Sequence, residues 1–236
     1  MRRDTVVFLG PTLPVAEARK VLDAEYLPPA AMGDVYKALR GRPRRIAIID
    51  GYFERMAAPW HKEILWALEN GVAVYGAASM GALRAAELDV FGMVGAGQIY
   101  ADLKSGKLTD DDEVAVLHGP ADRGYVAMSE AMVNVRAAVS LAERDGVLSA
   151  EAAERLVGLA KQQFYRDRSW ESVIAAGKKA GLDGMDRLAS MKRPDAKADD
   201  ARTLLQLLAA RAPEKASTVK LARTWFWWRF VDVMEE

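Results

Sequence analysis

Gly71-Val72-Ala73-Val74-Tyr75-Gly76-Ala77-Ala78-Ser79-Met80-Gly81-Ala82-Leu83-Arg84-Ala85-Ala86-Glu87-Leu88 is the stretch whose reading decides the fold. Its first half is a short apolar run with β-branched and aromatic residues, bounded by glycine, and reads as a buried strand. Its second half is rich in Ala, Leu, Arg and Glu and reads as a helix. Only small residues and one hydroxyl lie between, so the chain turns sharply from strand to helix with Ser79 at the turn. A serine placed there can cap the helix, help cradle an anion or act as a nucleophile.

Working outward, the same alternation recurs. Thr5–Leu9 and Ile46–Ile49 are uninterrupted apolar runs, as expected of strands covered on both faces. Tyr26-Leu27 reads as a short strand between them, and Val114–Leu117 as a further buried strand ending in His118-Gly119-Pro120. Helical spacing is present at Val15, Ala18 and Leu22, over Asp34–Leu39, from about Pro59 through Leu68, and over Gln98–Lys104. Phe91–Gly97 reads as a glycine-punctuated connector. From Ser129 onward the composition is helical, with helices expected near 129–144, 149–163, 169–179, 198–211 and 218–234 and a looser connector over Gly184–Lys197. The expected fold is therefore α/β: an open, mostly parallel sheet flanked by helices over 1–145, followed by an all-helical C-terminal region over 146–236.

Composition narrows the function. The 236 residues hold 33 Lys plus Arg and 33 Asp plus Glu, so a strongly electrostatic partner such as bulk nucleic acid is not expected. With no cysteine in the sequence, disulfides, thiolate metal sites and cysteine nucleophiles are excluded, which fits a cytoplasmic protein. No apolar run approaches the ~20 residues of a membrane span. Neither a Walker loop nor a GxGxxG at a first strand–helix turn is present, so no nucleotide cofactor is expected.

In open parallel sheets, ligands bind beyond the carboxyl ends of the strands. The expected strand ends present Thr12, Asp50, Ser79 and His118 at one edge. Ala77-x-Ser79-x-Gly81 has the spacing of a nucleophile elbow, where small neighbours let the turn tighten and the helix start offers N–H groups to an oxyanion. Ser79 is equally a favoured helix cap. His118 and His61 are the candidate bases, with Asp50 or an acid of Asp110–Glu113 to orient one of them. For His61, beside Trp60 and Trp66, the plainer reading is a half-buried helix residue. Arg84 lies five residues past Ser79, so it does not simply point back at the turn, and it can pair with Glu87 at i, i+3. Asp110–Glu113 reads as a solvated loop rather than a metal site. Trp225–Phe230 carries consecutive aromatics that cannot share one helix face. They need a second surface, either the sheet domain or a partner chain, which includes a homo-oligomer.

Asp50–Phe53, Trp60–Leu65, Gly76–Leu88, Phe91–Gly95 and Asp111–Pro120 together resemble the core of the TfuA-like family, over roughly residues 5 to 140. The resemblance implies an accessory role beside a YcaO protein that installs backbone thioamides in a ribosomal peptide or protein. It implies help with sulfur delivery from a thiocarboxylated sulfur-carrier protein, either by hydrolysing that thiocarboxylate or by recruiting the carrier as a non-catalytic adaptor. A general serine hydrolase is a weaker alternative. On the hydrolase reading, Ser79, His118, His61 and Asp50 are catalytic, and Thr12, Met80, Gly81 and Arg84 bind substrate, with no metal.

Overall fold

The computed structural model describes residues 4–54, 56–212 and 219–235. The elements run β1 (Thr5–Phe8), α1 (Val15–Val21), β2 (Glu25–Leu27), α2 (Asp34–Ala38), β3 (Arg45–Ile48), α3 (His61–Glu69), β4 (Ala73–Ala77), α4 (Met80–Leu88), β5 (Val94–Ala96) and α5 (Gly97–Lys104). They continue as α6 (Met132–Arg144), α7 (Ala150–Lys161), α8 (Trp170–Lys179), α9 (Met185–Ser190), α10 (Ala196–Ala210) and α11 (Trp225–Glu235). The five strands form one all-parallel sheet in the order β2-β1-β3-β4-β5. The fold is thus α/β, with a helical C-terminal region.

Strand side chains alternate between two cores. Val7, Leu9, Ala47, Ile49 and Tyr75 face one side, packed with Ala18 and Leu22 from the α1 segment and Leu204, Leu205 and Leu208 of α10. Val6, Phe8, Ile46, Ile48 and Val74 face the other, packed with Ile64, Ala67 and Leu68 of α3 and Ala85 and Leu88 of α4. Covering both faces is what makes these strands read as continuous apolar runs. Two polar clamps fasten α10, one to the sheet and one to α5. Arg45 Nη1 donates to the carbonyls of Leu208 and Arg211, both at 2.7 Å, where α10 ends. The buried Asp200 carboxylate accepts from Gln98 N at 2.9 Å and Ile99 N at 2.7 Å, capping α5.

Contacts divide the chain into two compact units, residues 1–108 with 198–236, and residues 109–197. The second unit is helical, with a core of Met132, Val135, Leu156, Val173 and Leu188 among others.

Three expectations need correction. Val114–Leu117 is not a strand of the sheet. Its backbone finds other partners: Leu117 N donates to Ser129 Oγ at 2.7 Å, Met128 N to Leu117 O at 2.7 Å, and Lys197 Nζ to Val114 O at 2.8 Å. The segment closes through a single antiparallel bridge, His118 to Ala127. Phe91–Gly97 is more than a connector, because Val94–Ala96 pairs with β4 as an edge strand. Its three residues are too few for a periodicity to register. The region 184–197 holds the short helix α9.

The aromatic stretch splits between two environments. Trp227 and Phe230 are buried against Tyr36, Trp60 and Trp66, whereas Trp225, Phe226 and Trp228 stay more than half exposed.

Candidate functional site

In the 2-1-3-4-5 order the chain reverses its direction of progress between β1 and β3, and the crevice of such a sheet opens there, beyond the carboxyl ends of the strands. Asp50 spans that point. Its carboxylate accepts from Gly10 N at 2.8 Å, Thr12 N at 3.1 Å and Thr12 Oγ1 at 2.6 Å. Asp50 is 1% exposed, so its acceptors are spent on holding the loop after β1. Thr12, also buried, is held in the same network. These two residues therefore shape the edge from within.

The turn after β4 is tighter than the residue pattern alone conveys. Ser79 N donates to Ala77 O at 2.8 Å, closing a three-residue γ-turn centred on Ala78, whose φ is +66°. Such positive-φ γ-turns are rare and strained, on the order of 1–3 kcal/mol. The helix that follows approaches the sheet through glycine. A Cβ at Gly81 would sit 1.7 Å from Ile48 O, and one at Gly76 would sit 2.0 Å from Gly81 O. Gly81 N donates to Ile49 O at 3.2 Å, locking the start of α4 onto β3.

That arrangement leaves two groups unspent. The Oγ of Ser79, a residue 8% exposed, makes no hydrogen bond among the described residues, not even to cap α4. Of the first N–H groups of α4, those of Gly81, Ala82 and Leu83 have carbonyl acceptors, and that of Met80 has none among the described residues. A free hydroxyl beside a free helix-start N–H is the pairing of nucleophile and oxyanion donor found at an elbow.

His61 begins α3, in the same unit as Ser79. Its Nε2 lies 2.8 Å from Glu87 Oε2. Arg84 holds that carboxylate through Nη1 at 2.7 Å and donates through Nε to Pro59 O at 2.8 Å. Burial pushes the Glu87 carboxyl up, but hydrogen bonds from His61 and Arg84 outweigh it and hold the group below its usual range. The carboxylate that orients His61 is thus Glu87, while Asp50 is occupied elsewhere. Sequence reading had paired Glu87 with Arg84 alone, since the partner on α3 is 26 residues away. Arg84 is directed to the α3 entry, in agreement with its five-residue offset from Ser79.

His118 belongs to the second unit. Its Nδ1 lies 2.9 Å from Gly119 O, and its ring meets Tyr125 edge-on at 5.7 Å. Val114–Leu117 is not a sheet strand, so His118 does not follow the carboxyl end of one as the sequence leads one to expect. In the same unit the acidic run is neutralised from within. Ligand oxygens of Asp110, Asp112 and Glu113 gather within 4.8 Å of one another. The Lys161 ammonium sits among them, 3.0 Å from Asp110 and Glu113 and bonded also to Asp112. Arg136 grips Glu113 through two bonds of 2.8 Å, and the fully buried Arg168 bonds Asp112 at 2.8 Å. Lys161 therefore stands where a metal ion would. None of these three cations was legible as a partner, because they come from α6, α7 and the loop before α8.

An all-parallel sheet of this order, covered by helices on both faces, defines a doubly wound α/β protein, and the β4–α4 turn lies at the carboxyl edge of its sheet. A family model described as TfuA-like protein matches residues 50–169, just over half of the chain, and the chain belongs to that family. The match begins at Asp50 and contains the whole of the β4–α4 turn. A search among curated proteins finds no match. Membership of the family supports an accessory role related to thioamidation and an association with the YcaO pathway. Among the described residues no helix is long and apolar enough to cross a membrane.

Proposed function

We propose that the protein promotes sulfur delivery to a YcaO partner by hydrolysing the thiocarboxylate of a sulfur-carrier protein at the Ser79 turn. The observation that carries this is the unspent Ser79 Oγ beside the unspent Met80 N–H. In the proposed reaction, Ser79 Oγ attacks the thiocarboxylate carbon while Met80 N–H donates a hydrogen bond to the developing oxyanion. The C–S bond breaks, hydrosulfide leaves, and an acyl-serine remains. Water then cleaves that ester, giving back the hydroxyl and leaving a carboxylate on the carrier. His61, oriented by Glu87, is the base on this reading, because its imidazole already carries the carboxylate partner a serine base needs. The chain has no cysteine, so sulfur departs as hydrosulfide and does not ride on this protein. No metal or organic cofactor enters the scheme.

One observation favours a second reading, a non-catalytic adaptor that recruits the carrier and stimulates YcaO. Among the described residues the Ser79 hydroxyl is engaged by no base, so its activation requires movement on substrate binding. One experiment separates the two. Purified protein is incubated with a thiocarboxylated carrier, and sulfide is measured for wild type, Ser79→Ala and Glu87→Gln. The hydrolase reading expects release by wild type, loss of about 10³-fold or more in Ser79→Ala, and a smaller loss in Glu87→Gln. Absence of release above background from wild type leaves the adaptor. Release undiminished in Ser79→Ala removes the serine from the nucleophile role.

A further inference from the structure

Helix α11 has two apolar faces, and only one of them is used. Trp227 and Phe230 are buried, Trp227 lying 5.5 Å from the Trp66 ring and 6.2 Å from that of Trp60 between centroids. Phe226 is 70% exposed and Val233 57%. Beside them runs an open groove of about 530 Å³, walled by α11 on one side and by Met32 and Trp60, from the loops after β2 and β3, on the other. Phe226, Phe230 and Val233 line it at i, i+4 and i+7, a single stripe spanning ~10 Å of helix.

The charge of the groove is one-sided. Lys62 and Arg229 line it, and no carboxylate does among the described residues. Among the described residues the Lys62 ammonium bonds only neutral oxygens, Ala222 O and Thr224 Oγ1, each at 2.8 Å, and stands 5.7 Å from the Trp60 ring centroid. Arg229 approaches Asp232 only to 3.7 Å, with both side chains 61% exposed, a contact that holds neither in place. Aromatic, Met and Arg side chains around a cleft are the composition of a protein-interface core. Exposed Trp225, whose ring meets that of Phe226 edge-on at 5.1 Å, extends the apolar surface beyond the groove itself, past what a small ligand would cover.

We propose that this groove docks an acidic amphipathic helix of a partner protein. The partner's apolar residues at i, i+4 and i+7 lie along the Phe226–Phe230–Val233 stripe, and its carboxylates face Lys62 and Arg229. A second copy of this chain is the poorer occupant. Of the α11 carboxylates it would present among the described residues, Glu235 is bonded to Tyr36 at 3.0 Å and paired with Arg40 at 3.4 Å, which leaves Asp232 alone to face two cations. The proposal is independent of the chemistry assigned to Ser79.

The test uses the full chain and fluorescently labelled synthetic peptides of about 16 residues, some four helical turns. One peptide carries Leu at i, i+4 and i+7 on a Glu-rich background, the second replaces Glu with Lys, and the third scrambles the first. Polarisation is expected to show saturable binding of the acidic helix, with the basic and scrambled peptides at least about tenfold weaker. Phe226→Ala is expected to weaken binding by about tenfold and Arg229→Gln by roughly two- to fivefold. Both residues are exposed, so the unfolding midpoints should stay at the wild-type value. Equal binding of acidic and basic peptides, or binding indifferent to Phe226→Ala, overturns the proposal. So does a concentration-dependent dimer in sedimentation that Phe226→Ala abolishes, which would make a second copy the occupant.

Discussion

Replacing Gly81 by alanine tests how α4 is seated. In an exposed helix interior this exchange stabilises by about 1 kcal/mol, because alanine has less backbone freedom to lose. At Gly81 the added Cβ meets Ile48 O at 1.7 Å, about 1.3 Å inside the closest approach real Cβ atoms make. The obstacle is backbone of a central strand, so it cannot rotate away. Helix α4 must lift by more than 1 Å, loosening the bond from Gly81 N to Ile49 O and the contact across Gly76. Overpacking of this kind costs about 1–3 kcal/mol and more where backbone must shift, so a net loss of about 2 kcal/mol remains after the helical gain. The displacement falls on the turn that presents Ser79, and under the hydrolase proposal a misplacement of about 1 Å can reduce sulfide release by ~10²-fold. Urea unfolding of Gly81→Ala, with Gly158→Ala as control, reads the stability; sulfide release reads the turn. Gly158 lies within α7 with nothing inside 4 Å of an added Cβ, and its replacement is expected to stabilise. If both variants gain stability equally, the close seating of α4 on β3 is wrong.

Asp50→Ala strands three buried donors at the switch point and is expected to cost roughly 3–5 kcal/mol, measured by denaturant unfolding, with Asp50→Asn milder because one acceptor remains. Lys161→Ala leaves three clustered acids without their shared cation and should destabilise by about 1–2 kcal/mol near neutral pH, allowing for partial exposure. For Asp112 and Glu113 burial raises the pKa, but bonds from Lys161 with Arg168 or Arg136 prevail and hold both low. Their contribution is therefore present above the unfolded values near 4 and lost as pH falls through the depressed ones. Unfolding midpoints of wild type and Lys161→Ala should accordingly converge as the solution is acidified. Trp227→Ala should cost about 3–5 kcal/mol and Trp228→Ala under about 0.5, since one ring is buried and its neighbour is 52% exposed. Equal losses in thermal unfolding would contradict the two-faced reading of α11.

Much of this architecture is written in local pattern. The runs at Thr5–Leu9, Ile46–Ile49 and Val72–Ala77 declare buried strands because both faces are covered, and the small residues around Ser79 declare a turn that α4 can approach closely. Val114–Leu117 misleads for a physical reason: Val114 and Ala115 are buried, but burial is satisfied by a loop whose amides bond to Ser129 and neighbouring backbone rather than to a ladder. The candidate residues are picked out by their types and places in the sequence, but their pairings are not. Asp50 to Thr12, His61 to Glu87 and Glu113 to Arg136 join positions 38, 26 and 23 apart. Only the fold brings such positions together, and no period in the sequence encodes them.

The return of α10 to the sheet has a consequence for synthesis. Residues 109–197 are contiguous and carry their own core, so they can fold as soon as they leave the ribosome. The sheet cannot finish first. Val7, Leu9, Ala47 and Ile49 are made early, yet the face they form has only the α1 segment to cover it until Leu204, Leu205 and Leu208 emerge. For the time needed to translate about half the chain, one side of a parallel sheet is apolar, only partly covered and open to any passing hydrophobic segment. A nascent chain stalled before residue 200 should therefore bind holdase chaperones strongly, and one stalled past residue 211, where Arg45 can close on the end of α10, should release them.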